Sequence, residues 1–206
     1  MVNGEFLTLF IPLLIIMDPV GNLPLFLTLT AHHPPGRQTA IAATACGTAT
    51  AILMLFGLTG DSILRFFSIT LPAFQLAGGL IFFIYALQML NLIPAGIKSS
   101  AAEEEESLHK ENVALVPLAT PLLAGPGAIT AILVWQQDPL RQIPLWILTE
   151  IILAACGVTF VVFYLGRWLH RLLGVGGIGV VTRLTGLLLS VIAMQFVVDG
   201  LSGVLA

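Results

Sequence analysis

The chain has 206 residues, 57% of them hydrophobic and only 9% charged, where an ordinary soluble domain carries about 25% charge. Mean hydropathy is +1.01 and net charge is −3. These values exclude a soluble domain and leave no basic face for nucleic acid, so the chain reads as an all-α membrane protein.

Six apolar runs, near residues 5–30, 38–60, 70–92, 113–137, 143–166 and 179–203, are long enough to span a bilayer. Lipid offers backbone groups no partner, so such runs close their own hydrogen bonds as helices. The first lacks a basic leader and an Ala-x-Ala-like cleavage pattern and reads as a retained helix. Inside it lies Met17-Asp18-Pro19-Val20-Gly21-Asn22-Leu23-Pro24, and Asp18 is the only formal charge between Phe6 and Thr30. Proline removes a backbone donor and crowds the preceding turn, and glycine weakens propagation, so a broken helix is expected. The break begins about 12 residues into its run, roughly 18 Å at the helical rise, near the middle of a layer about 30 Å thick.

His32-His33-Pro34-Pro35-Gly36-Arg37 follows as a solvated turn rather than a metal site. In the second run Ala43, Gly47 and Ala51 share one face, a spacing that permits close helix approach. Asp61 to Leu71, with Asp61 and Arg65, reads as interfacial, and the third run carries Gly78, Gly79 and Gln88. The polar stretch from Pro94 to Asn112 contains Glu103-Glu104-Glu105-Glu106, a solvated acidic tract rather than a cation site.

The fourth run carries Pro117, Pro121 and a second break, Leu123-Ala124-Gly125-Pro126-Gly127-Ala128-Ile129-Thr130, with Asp138 and Arg141 at its far end. Glu150 lies in the fifth run as a near-interface carboxylate, and Arg167, His170 and Arg171 form a basic segment after it. Gly174, Gly176, Gly177 and Gly179 precede the last run, in which Arg183 and Asp199 read as interfacial anchors. Cys46 and Cys156 lack any metal or redox spacing and read as small packing residues; no metal or cofactor is expected.

Arg37, Lys98, Lys110, Arg167, Arg171 and Arg183 fall on one side, and Arg65 and Arg141 on the other. The positive-inside bias puts the first group and the central acidic loop in the cytoplasm, and both termini outside. Gly21 aligns with Gly127, Ala45-Cys46-Gly47 with Ala155-Cys156-Gly157, and Gln88 with Gln195. Three spans per half is an odd number, so the second copy enters upside down. One membrane domain, 1–206, is expected, built as a 3+3 inverted repeat: 1–92, a polar loop at 93–112, and 113–206, with helices 1 and 4 broken near the midplane.

Asp18-Pro19-Val20-Gly21-Asn22-Leu23-Pro24-Leu25-Phe26 and Val116-Pro117-Leu118-Ala119-Thr120-Pro121-Leu122-Leu123-Ala124-Gly125-Pro126-Gly127-Ala128-Ile129 resemble the MarC/SnatA family of six-helix prokaryotic inner-membrane proteins. Phe74 to Gly79 and Thr182 to Leu188 extend the resemblance along almost the whole chain. It implies transport of small neutral amino acids (alanine, glycine, serine, threonine) in the export direction. The family's first motif often has Asn where this chain has Asp18.

A zwitterion needs partners for a carboxylate and an ammonium. A helix restarting after a break offers N–H groups and the positive dipole end; the turn before it offers carbonyls. The candidate substrate residues are therefore Asp18, Pro19, Gly21, Asn22, Thr120, Ala124, Gly125, Pro126, Gly127 and Thr130. Asp18 is read as a partner for the substrate ammonium or carrier of a coupling proton, or else as a helix cap; Na+ is the other candidate coupling ion. Asn22 is read as a cap of the restarted helix, and Gln88 and Gln195 as bonding across helices. Thr120 and Thr130 offer hydroxyls that threonine often turns back on its own helix. A selective channel is the second reading, ahead of a membrane enzyme using Asp18 or Glu150 and of a purely structural subunit; no catalytic residue is assigned.

Overall fold

The computed structural model describes residues 2–93, 118–119, 123–137 and 143–205. The Glu103–Glu106 tract, Lys98, Lys110, Pro117, Thr120, Pro121, Asp138 and Arg141 lie outside the described residues. Among the described residues the chain is helical: α1 Val2–Met17, α2 Leu23–Leu29, α3 Pro35–Phe66, α4 Leu71–Met89, α5 Pro126–Gln137, α6 Leu145–Tyr164 and α7 Gly166–Leu205. Helices α3, α4, α6 and α7 contain segments long and apolar enough to cross a membrane. α1 and α5 contribute shorter apolar helices, Phe6–Met17 and Pro126–Gln136.

The first apolar run is interrupted at residues 18–22, between α1 and α2. Helix α1 stops because Asp18 adopts φ 41°, a left-handed conformation, while its N–H still closes the last turn onto the Leu14 carbonyl at 3.0 Å. Asp tolerates this region better than most residues. Pro19 then brings no N–H for the carbonyl of Ile15, one turn back, so the ladder cannot resume there. At the C-terminal end of α2 the buried Gln38 closes the turn, its Nε2 donating to the Thr30 carbonyl at 2.7 Å and to that of His33 at 3.1 Å.

Helix ends depart from the apolar runs in two places. The segment 61–66, read as interfacial, is the helical end of α3, beyond its membrane-length span Pro35–Gly60. The stretch from Gly176 to Gly179, read as preceding the last helix, is itself helical, and Gly174, with non-helical φ 61° and ψ 179°, divides α7 into a segment before it and the long helix after it. Glycine is common in membrane helices, where packing and the absence of competing water offset its flexibility.

Helices α3 and α6 are antiparallel: a β-carbon at Gly57 would lie 3.2 Å from Leu148, and further back along α3 Thr50 meets Cys156. The residues facing inward on α3 are Ala42, Ala45, Cys46, Ala49 and Leu53. The Ala43, Gly47, Ala51 stripe is one residue out of phase with them and exposed, so it does not carry the close approach expected of it. Cys46 and Cys156 are buried free thiols in the core.

Close approach is carried instead by α4 against α7, also antiparallel. A β-carbon at Gly79 would lie 2.8 Å from the Ala193 carbonyl oxygen, and one at Gly186 would lie 3.3 Å from the Ala86 carbonyl oxygen. Near one end, Gly200 is seated against Pro72 and Leu76 in the same way. A second pair of contacts packs Gly60 of α3 on Leu133 of α5, and Gly166 of α7 on Leu23 and Leu27 of α2. Exposed aromatics gather at the helix ends: Phe66, Phe67 and Trp146 at one level, Tyr164 and Trp168 at the other. That is the placement of interfacial anchor residues.

Candidate functional site

A cavity of about 250 Å³ lies where the two breaks meet. From the first break it is lined by Asp18, Gly21 and Asn22, with Ile16 from the last turn of α1. From the second come Gly125, Pro126, Gly127 and Ala128. Two segments more than a hundred residues apart in sequence thus face one space. Its size falls just below the roughly 300–1,000 Å³ of pockets for drug-sized ligands, which suits a small solute.

The first break is held by its own polar side chains. The Asp18 carboxylate accepts the Gly21 N–H at 3.1 Å through Oδ1. Gly21 is required there, because a β-carbon at that position would collide with Asp18 Oδ2. Asn22 precedes α2 in a helical conformation (φ −80°, ψ −11°) and makes no side-chain cap to it. Instead its Nδ2 donates to the Met17 carbonyl at 2.9 Å, so it ties the end of α1 to the start of α2. The capping role expected of Asn22 is therefore filled by Asp18.

The second break approaches α5 through a wide turn, in which the Ala124 N–H reaches back to the Ala119 carbonyl at 2.9 Å. Helix α5 begins with Pro126, which fits a first helical position because the missing N–H has no partner to lose. The Gly125 carbonyl accepts the Ile129 N–H at 3.1 Å. The N–H groups of Gly127 and Ala128 have no carbonyl one turn back within the helix, and both residues border the cavity.

The cavity has two electrical ends. On the α1 side stand the Asp18 carboxylate and the C-terminal carbonyls of a helix, where the macrodipole is negative. On the α5 side stand the first N–H groups of another helix, where it is positive.

Other predicted residues lie elsewhere. Pro19 and Ala124 are buried beside the breaks without lining the cavity. Thr130 donates its hydroxyl to the Pro126 carbonyl at 2.8 Å and packs its methyl on Gly78, so it fixes α5 against α4 and does not face the cavity. Gln88 borders the cavity. Gln195 does not bond across helices: exposed on α7, it donates to Asp199 Oδ1 at 2.7 Å. Among the described residues no cluster of His, Cys, Asp and Glu could hold a metal ion.

Sequence reasoning missed the remaining wall, formed by Phe82, Tyr85 and Met89 of α4 with Thr182 and Leu189 of α7. The spacing of Phe82, Tyr85 and Met89, three and four apart, places them on one helical face and was the available signal.

A family model described as MarC family integral membrane protein matches residues 4–205. The chain is 39% identical over 200 residues to a UPF0056 membrane protein of Aquifex aeolicus, covering 97% of this chain and 94% of that one. It is 36% identical over 200 residues to a UPF0056 membrane protein of Methanocaldococcus jannaschii, covering 97% of each. To the UPF0056 inner membrane protein YhgN of Escherichia coli it is 32% identical over 198 residues, covering 96% of each. No solved structure matches it significantly.

Proposed function

The chain belongs to the MarC family of integral membrane proteins, and from that premise we propose that it is a secondary transporter exporting small neutral amino acids through the cavity between its two helix breaks. The observation that carries the reading is the opposed polarity of that cavity: the C-terminal end of α1 with Asp18 on one side, the first turn of α5 at Gly127 and Ala128 on the other. A zwitterion sets its ammonium toward the first and its carboxylate toward the second. The small volume favours alanine, glycine, serine and threonine over larger side chains. Asp18 serves both roles in this reading, one oxygen holding the turn and the carboxylate as a whole attracting the ammonium. The reading assigns no catalytic residue.

A 3+3 inverted repeat accompanies this proposal, and reciprocal packing supports it. The contact of Gly79 with the Ala193 carbonyl is mirrored by that of Gly186 with the Ala86 carbonyl. Each residue is separated from its counterpart by the same stretch of chain that separates Gln88 from Gln195. Likewise Gly60 on Leu133 is mirrored by Gly166 on Leu27, with the separation of Gly21 from Gly127. Contacts exchanged this way are what a two-fold axis between the halves requires. In the bilayer of the cell's inner membrane, the Arg37 and Arg167–Arg171 side is cytoplasmic and both termini are outside.

The test is counterflow. Proteoliposomes loaded with unlabelled alanine are expected to accumulate labelled alanine saturably, and the rate is expected to respond to a proton or Na+ gradient. Absence of counterflow for alanine, glycine, serine and threonine overturns the reading, and single-channel currents replace it with a channel.

A further inference from the structure

Resting on the amino-acid reading of the cavity, we propose that Phe82 is the residue that sets the upper limit on the substrate's side chain. Phe82 borders the cavity directly beside the second break. Its ring edge lies where a side chain at position 127 would be, so the absence of one on Gly127 is what admits the ring. Behind it stands Phe196 of α7, with centroids 5.5 Å apart and planes at 62°, an edge-to-face pair.

The ring is fixed from both sides. Only 2% of Phe82 is exposed, and the contact of Thr130 with Gly78 one turn earlier on α4 locks α5 and α4 in register. Met89 on the same wall yields more easily, since its unbranched chain re-forms around a guest. A substrate whose carboxylate meets the N–H groups of Gly127 and Ala128 has its α-carbon close to this ring. Any side chain projecting toward α4 therefore meets an aromatic wall that cannot retreat.

The experiment compares wild-type, Phe82→Ala and Phe82→Leu protein in proteoliposomes, reading counterflow of labelled alanine and labelled leucine and the thermal transition of each variant. The leucine-to-alanine ratio is expected to rise at least about tenfold in Phe82→Ala, with Phe82→Leu intermediate, since excess methylenes at a hydrophobic wall are discriminated about 10–200-fold. If Phe82→Ala does not fold, Phe82→Leu alone decides. An unchanged ratio beside normal wild-type alanine counterflow overturns the role of Phe82 and leaves the transport reading standing. Absence of counterflow for all small amino acids in the wild type overturns both.

Discussion

The Asp18 carboxylate lies over the α-carbon of Gly21, with Oδ1 accepting the Gly21 N–H at 3.1 Å and Oδ2 in the space a β-carbon at 21 would need. The two residues are therefore one device: the glycine makes room for the carboxylate, and the carboxylate closes the turn between α1 and α2. Gly21→Ala is expected to push the carboxylate off the turn, losing a cap worth about 1 kcal/mol and disordering the cavity's acidic end. Counterflow of labelled alanine should fall at least about tenfold, a change of about 1.4 kcal/mol in the relevant free energy, while membrane insertion is kept. Full activity in Gly21→Ala would refute the coupling.

Asp18 can be separated into its two roles by two substitutions. In Asp18→Asn the amide oxygen still accepts the Gly21 N–H, so the turn survives and only the charge is lost. Asp18→Ala loses both. The thermal transition of Asp18→Asn is expected to stay near wild type, with that of Asp18→Ala lowered by the equivalent of about 1 kcal/mol. Alanine KM should rise in both, and the response to a proton gradient should disappear in both if the carboxyl carries the proton. An Asp18→Asn protein with unchanged KM and unchanged coupling would reduce Asp18 to a cap.

The glycines predict opposite outcomes at positions that look alike in sequence. At Gly79 and Gly186 a β-carbon meets the backbone of the facing helix, so Gly79→Val and Gly186→Val each force α4 and α7 apart. Overpacking of this kind costs about 1–3 kcal/mol. At Gly47 nothing lies within 4 Å of an added β-carbon, so Gly47→Ala is expected to be neutral or to gain up to about 1 kcal/mol from helix propensity. Thermal unfolding in detergent distinguishes them, and equal losses at positions 47 and 79 would contradict the packing.

The two breaks were legible because their chemistry is local. Pro19 and Pro126 have no N–H to donate wherever the chain folds, and Gly21 and Gly127 have no side chain to keep out. The facing of the helices was not legible for the opposite reason. In a run as apolar as α3, lipid and core accept the same side chains, so a stripe such as Ala43, Gly47, Ala51 carries no mark of which way it points. The same ambiguity hid Phe82 and Tyr85, and it made Gly176, Gly177 and Gly179 read as preceding the last helix, although among the described glycines only Gly174 has a positive φ. Asn22 was misread because its side chain reaches back to Met17, a choice that depends on where Asp18 has already placed its carboxylate.

Gln88 and Gln195 occupy matching positions in the two halves of the sequence, yet they have different surroundings. Gln88 borders the cavity, whereas Gln195 lies on the exposed face of α7 with its amide spent on Asp199 one turn away. The cavity lined by both breaks takes Gln88 into its wall and leaves Gln195 out, so matching places in sequence do not give the two side chains matching roles. Gln88→Ala removes a polar group from the wall facing the substrate and is expected to raise alanine KM several-fold, within the roughly 0.5–1.5 kcal/mol net worth of a hydrogen bond. Gln195→Ala gives up an exposed hydrogen bond on α7 and should leave KM unchanged. Measured side by side in proteoliposomes, a larger effect at Gln195 than at Gln88 would contradict the assignment of this cavity as the substrate site.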